Sequence, residues 1–286
     1  MLASVRVSEA IRALGLAGVL MGAPVVGAAD MPTRVVSMNL CTDQLAMMVA
    51  GEGQLMSVSY LASDPRSSAM VEQAAHFRSN RGLAEEIYLM QPDLVIAGSF
   101  STRATVDMLK RLGIPVVVFE PAYSLKDVRA RLAQMGEVLE QQDRAAELIA
   151  DFDAQLARYR TKITSRPRAA LYYANGYTSG DKTLAGQILS IAGLDNIAAE
   201  EGFSAGGIIP LEVLAMAQPD TVITSRPYPG ASRSEEVKGH PVIEALRNSR
   251  PEASMTDSDW VCGTPFVLRA IEGMVALRRE MKDVLP

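Results

Sequence analysis

The residues of this chain that chemistry could use are few: two cysteines, two histidines, and a set of aromatics and arginines. Cys41 and Cys262 could form a disulfide in an oxidising compartment or stand as separate thiols, and the sequence leaves both open. His76 and His240 stand at no metal-ligand spacing from either cysteine, so no metal held by protein side chains is expected. The chain has no phosphate-binding G-x-x-x-x-G-K-[ST] loop and no His-rich metal motif, which points away from catalysis. What remains suits recognition. Tyr60, Phe100, Tyr177, Phe203, Tyr228 and Trp260 offer flat apolar faces with polar edges. Arg103 and Arg226 can pair with an anionic ligand. All of these sit in or near segments that read as loops, and Trp260, the sole tryptophan, is the leading candidate for ligand contact.

Those loops need a scaffold, and the hydrophobic pattern supplies one. The β-branched runs at 34–39, 55–60, 93–98 and 115–120 read as buried strands. Helical stretches separate them, and such alternation predicts parallel strands joined by crossover helices. Between Ser124 and Ile163 proline is absent and glycine occurs once. Ser124 reads as an N-cap with Asp127 in the capping-box position. Leu125, Val128, Leu132, Met135 and Leu139 make one apolar face, and a break is expected near Gln141–Asp143.

After that helical region the first style returns. Gln91-Pro92-Asp93-Leu94-Val95-Ile96 is echoed by Gln218-Pro219-Asp220-Thr221-Val222-Ile223, and each copy follows a short helical segment. The expected architecture is α/β: two Rossmann-like lobes with mainly parallel sheets, joined by a long rigid α-helix. The N-terminal lobe covers 30–140, the connecting helix 141–166 and the C-terminal lobe 167–286. Ligands of open α/β sheets bind beyond the carboxyl ends of the strands, so the cleft between the lobes is the expected site.

Composition narrows the partners. The 286 residues are 48% hydrophobic and 21% charged with a net charge of −5, and without a basic run nucleic acid is not an expected partner. Residues 1–29 read as a secretory signal peptide: Arg6 and Arg12 precede an apolar stretch that ends in small residues around Ala28 and Ala29. The processed chain is expected to be soluble, exported and monomeric.

With the export signal, the two lobes and the helical strut come three sequence marks: "EEIYLMQPDLVIAG", "LEVLAMAQPDTVIT" and "SDW". Together they make the chain resemble the periplasmic binding proteins of metal-chelate uptake, which pass vitamin B12, ferric siderophores or heme to ABC transporters. The resemblance implies a periplasmic binder rather than an enzyme. Its ligand would be an intact metal chelate, with no cofactor of its own. It also implies docking of both lobes onto a permease dimer through a glutamate seven residues before each repeated proline, namely Glu85 and Glu212. Glu86 competes with Glu85 for that role, and Leu83, Ile87 and Met90 are expected to face the core. For the cargo, the corrinoid binder that this chain resembles carries a tryptophan where Gly98 stands, and the paired arginines suit a ferric siderophore. A ferric siderophore is therefore expected first and a corrinoid second, with heme, ligated by Tyr60, as a further alternative. The rival class is a two-lobed α/β enzyme related to chelatases.

Overall fold

The computed structural model describes residues 31–159, 163, 165–225, 232–247 and 253–284. The leader at 1–29, Arg226 and Tyr228 lie outside the described residues. In the N-terminal lobe the chain runs β1 (Val35–Ser37), α1 (Leu40–Val49), β2 (Leu55–Ser59), α2 (Val71–Ala74) and β3 (Arg78–Asn80). It continues through α3 (Ala84–Leu89), β4 (Leu94–Gly98), α4 (Arg103–Arg111) and β5 (Val116–Phe119). The strands order as β3-β2-β1-β4-β5, all parallel. Side-chain alternation splits the strands between two cores. Val35, Leu94 and Ile96 pack toward α1, whereas Val36, Val95 and Ala97 pack toward α3 and α4.

Two long helices follow, α5 (Leu125–Leu139) and α6 (Gln142–Ala157). Ser124 Oγ accepts the Asp127 N–H at 3.1 Å, and Asp127 reaches back to accept the N–H of Tyr123 at 3.0 Å. The expected box forms with its return bond one residue earlier. Glu140 takes a left-handed φ of 54°, which ends α5 and reverses the chain into α6. Gly136 lets the pair close, because a Cβ there would lie 2.5 Å from that of Ala145.

This hairpin serves both lobes. Leu132, Met135 and Leu139 of α5, with Ala145 of α6, belong to the N-terminal core. Leu125 and Val128 of α5, with Phe152 and Leu156 of α6, belong to the C-terminal core. The bridge is thus a helix pair, with α5 sharing the load of α6, and bending it would expose apolar surface in both lobes.

The C-terminal lobe runs β6 (Arg168–Leu171), β7 (Tyr177–Thr178), α7 (Leu184–Ala192), β8 (Asp195–Asn196), α8 (Ile197–Glu200) and β9 (Gly207–Ile208). It then runs α9 (Leu211–Ala217), β10 (Thr221–Ser225), α10 (Pro241–Arg247), β11 (Ala253–Met255), α11 (Asp257–Trp260) and α12 (Val267–Val284). Its main sheet orders as β11-β10-β6-β8, again parallel. Matching β6 to β1 and β10 to β4 gives the same order as the first lobe, less β3. The echoed Gln-Pro-Asp segments therefore introduce equivalent central strands. Both glutamines, Gln91 and Gln218, adopt left-handed φ values of 50° and 47°. Among the described residues no helix is long and apolar enough to cross a membrane.

Candidate ligand cleft

Parallel strands deliver their loops to one edge of each sheet, and those edges carry the candidate residues. In the N-terminal lobe β1 leads into Asn39, whose side chain accepts the Cys41 N–H at 3.0 Å and caps α1. Gly98, at the end of β4, sits against Asn39: a Cβ there would fall 2.7 Å from Asn39 Cγ. Any side chain at this position would push on the cap of α1, so Gly98 is required by close packing. Phe100 follows, with 81% of its surface exposed.

Asp43 lies in the first turn of α1 and is fully buried. Its Oδ2 accepts the N–H of Ser59 at 3.1 Å and the Ser59 hydroxyl at 2.5 Å, while Oδ1 has no protein partner. Burial pushes its pKa up from 3.8 to about 6, against the hydrogen bonds that lower it. Through Ser59 this carboxyl anchors the end of β2, immediately before Tyr60. Tyr60 itself is half exposed and lies under the Arg81 guanidinium, 5.6 Å from ring centre to Cζ.

In the C-terminal lobe Trp260 ends α11 and stacks on Tyr173, with ring centres 6.0 Å apart and planes 15° from parallel. Trp260 Nε1 and the Tyr173 hydroxyl are both buried without a protein partner. Two adjacent polar groups left unpaired in this way are costly unless something else satisfies them. Burial raises the Tyr173 pKa strongly, so the hydroxyl stays protonated and remains a donor.

Two cavities adjoin where the lobes meet. One, of about 160 Å3, is walled by Asn39, Leu45, Phe100, Phe119, Arg131 and both cysteines, among others. The other, of about 450 Å3, is walled by Tyr123, Tyr177, Lys182, Ala205 and Trp260, among others. Pro121 and Val261 line both. Cys41 and Cys262 form a disulfide, with Cα atoms 4.7 Å apart, that crosses from one lobe to the other.

Of the residues named from sequence, Phe100 lines the smaller cavity while Tyr177 and Trp260 line the larger. Tyr60, Arg103 and Phe203 are in neither wall. Phe203 packs half-buried against the C-terminal core beside Leu211 and Val213. Arg103 opens α4 and is exposed. Sequence reasoning missed Tyr173, which packs against Trp260, and the two cations in the walls, Arg131 and Lys182. Lys182 was findable, since it lies five residues beyond Tyr177; Arg131 was not, being an ordinary residue within a helix.

The helices α3 and α9 carry the repeated glutamates, and both Glu85 and Glu212 are exposed. Glu86 is half-buried and accepts the Arg81 N–H at 2.7 Å. Ile87 and Met90 face the core as expected, but Leu83 does not and is 53% exposed. Leu83 is the N-cap, with extended backbone angles that take it out of the helical phase shared by the other two.

The sequence matches the family model described as periplasmic binding protein over residues 35–250. It is 26% identical over 198 residues to a cobalamin-binding protein of Halobacterium salinarum, covering 68% of this chain and 54% of that one. It is 27% identical over 174 residues to a vitamin B12-binding protein of Pectobacterium carotovorum, covering 58% of this chain and 62% of that one. The chain thus spans between half and two thirds of these relatives' lengths. Among solved structures, the periplasmic heme-binding protein RhuT of Roseiflexus sp. RS-1 superposes with a TM-score of 0.66 at 20% identity. That superposition covers 88% of this chain and 98% of the other, a likeness of fold.

Proposed function

This chain belongs to the periplasmic binding protein family, and from that premise we propose that it captures an intact metal chelate and hands it to an ABC importer. The observation that carries this reading is the aromatic cleft between the lobes. There Trp260, in the wall of the larger cavity, stacks on the buried Tyr173 behind it. A large planar chelate would cover this aromatic wall. Binding rather than catalysis is the role, and the relatives, named as binding proteins, lend no support to a chelatase-like enzyme.

Among chelates, a corrinoid moves ahead of the siderophore expected from sequence, because the curated relatives are named for cobalamin. A ferric siderophore is the second reading, favoured by Arg131 and Lys182 in the cavity walls. The test is a titration of the purified chain with cyanocobalamin, cobinamide, a ferric siderophore and hemin, followed by the emission of Trp260. Saturable quenching at submicromolar concentration by one of them is the expected result; silence with all four would sink the reading.

Delivery is assigned to Glu85 and Glu212. Their equivalence in the two lobes suits a two-fold symmetric permease, on which each carboxylate meets a basic residue. One helical turn beyond each glutamate stands a large exposed apolar side chain, Leu89 at 77% and Met216 at 84%. This matched pairing of acid and apolar surface supports docking at both helices. Reversing both charges, E85K with E212K, is expected to abolish uptake while ligand affinity is retained. Normal uptake by the double variant would remove the glutamates from the docking role.

A further inference from the structure

The disulfide joins the two lobes at the place where the two cavities meet. Cys41 is the second residue of α1, a helix anchored in the N-terminal core by Leu45, Ala46 and Val49. Cys262 belongs to the C-terminal lobe and stands two residues beyond Trp260. Both cysteines line the smaller cavity, Trp260 lines the larger, and Val261 between them lines both. The short segment from Trp260 to Cys262 therefore partitions the cleft, and its far end is covalently held to the opposite lobe.

The neighbouring residues make this attachment tight. Gly263 has φ of 57°, and a Cβ there would lie 2.3 Å from that of Ala122, in the crossing segment between β5 and α5. The Gly263 N–H returns to the Trp260 carbonyl at 3.1 Å, which closes a turn around the disulfide. Apart from the disulfide, the lobes are joined by the α5–α6 hairpin, which packs into both cores but leaves no covalent tie across the cleft.

We infer that the Cys41–Cys262 disulfide is a positioning element of the ligand cleft: it pins the Trp260 segment to α1 and so fixes the cleft width before ligand arrives. This rests on the cleft being the ligand site, as argued above. A preset width confines the protein to the binding-competent geometry, so affinity is not reduced by molecules waiting in an open form. The coupling must run both ways, because whatever geometry the disulfide favours for ligand, ligand favours for the disulfide.

The test uses the folded, oxidised chain and its reduction by a phosphine, which with one water takes the disulfide to two thiols and leaves the phosphine as its oxide, the water supplying the oxygen and both protons. Two readouts need no ligand: the emission spectrum of Trp260 and the radius of gyration from small-angle scattering. Both are expected to change on reduction, with a redder emission and a larger radius, and to return on reoxidation. The C41S/C262S variant should match the reduced protein, and in-place reduction keeps the test valid if that variant folds poorly. If folded reduced protein keeps the oxidised spectrum and radius, the inference is overturned, whatever the protein binds.

Affinity provides the second arm, with cyanocobalamin and a ferric siderophore as probes. Reduction should weaken binding about tenfold, the loss expected if roughly a tenth of the reduced molecules hold the competent width. Saturating probe should in turn shift the thiol–disulfide equilibrium, set with a dithiothreitol buffer, toward the disulfide by a similar factor. Unchanged affinity for a probe that binds would overturn the inference. Spectral and scattering changes without binding of any chelate would uphold the pinning while removing the proposed cargo.

Discussion

Asp93 and Asp220 hold the same post in the two lobes. Each carboxylate accepts the backbone N–H of the arginine that opens its lobe, Arg34 at 3.0 Å and Arg168 at 2.8 Å. Each arginine reaches back to the end of the preceding helix: Arg34 to the Met90 carbonyl at 2.6 Å, Arg168 to that of Ala217 at 2.7 Å. The repeated Gln-Pro-Asp is thus a structural joint that locks helix, turn and neighbouring strand together.

Replacing Asp93 with alanine removes an acceptor for Thr33 and Arg34 together. Hydrogen bonds to charged groups contribute about 1.5–3 kcal/mol when sheltered. The site is exposed to solvent, so a loss of about 1 kcal/mol is expected in urea denaturation. Asp220→Ala should cost more, since Asp220 is half-buried. Equal midpoints for wild type and both variants would show that the joint is dispensable.

Asp43 makes stability depend on pH in an unusual direction for a carboxylate. Its folded pKa, raised by burial from 3.8 to about 6, means that the folded state binds the proton more tightly than the unfolded state. This stabilising contribution is fully present below pH about 3.8 and is lost as pH rises through about 6. The swing is on the order of 3 kcal/mol. Asp43→Asn should therefore flatten the difference in melting temperature between pH 5 and pH 7. Parallel profiles for the two proteins would rule this out.

Tyr173→Phe should leave the stacked pair intact and delete a buried hydroxyl that has no protein partner. Thermal stability is expected to hold or to rise by about 1 kcal/mol. A stability loss above about 2 kcal/mol would mean that the hydroxyl is satisfied within the protein.

Gly263→Ala places a methyl group against Ala122 at a backbone angle that side chains rarely adopt. Overpacking of this kind costs about 1–3 kcal/mol. Unfolding at lower denaturant, with rapid loss of the Trp260 environment, is the expected outcome. A neutral substitution would show that the crossing segment has room to move.

The fold was legible because its signals are local: buried β-branched strands, helical faces and the Ser124 cap each announce themselves within a few residues. The break expected near Gln141–Asp143 falls at Glu140–Gln141, at the leading edge of that span. Tyr173 gave no sign of its place against Trp260, because a tyrosine pair continuing an apolar run looks like strand, whereas β6 stops at Leu171. The pairing of Cys41 with Cys262 could only be posed as a question, since it depends on how the lobes meet. Arg131 gave no sign of its place, because a helix face pointing into a cavity reads in sequence like one pointing into water.

The disulfide also has a consequence for the order of synthesis. The chain is made from its N-terminus, and 221 residues separate the two cysteines. Every strand of the first lobe has been made long before Cys262 leaves the ribosome. Cys41 must therefore wait as a free thiol through almost the whole birth of the protein. Any other thiol or oxidant that meets the nascent chain in that interval competes with its proper partner.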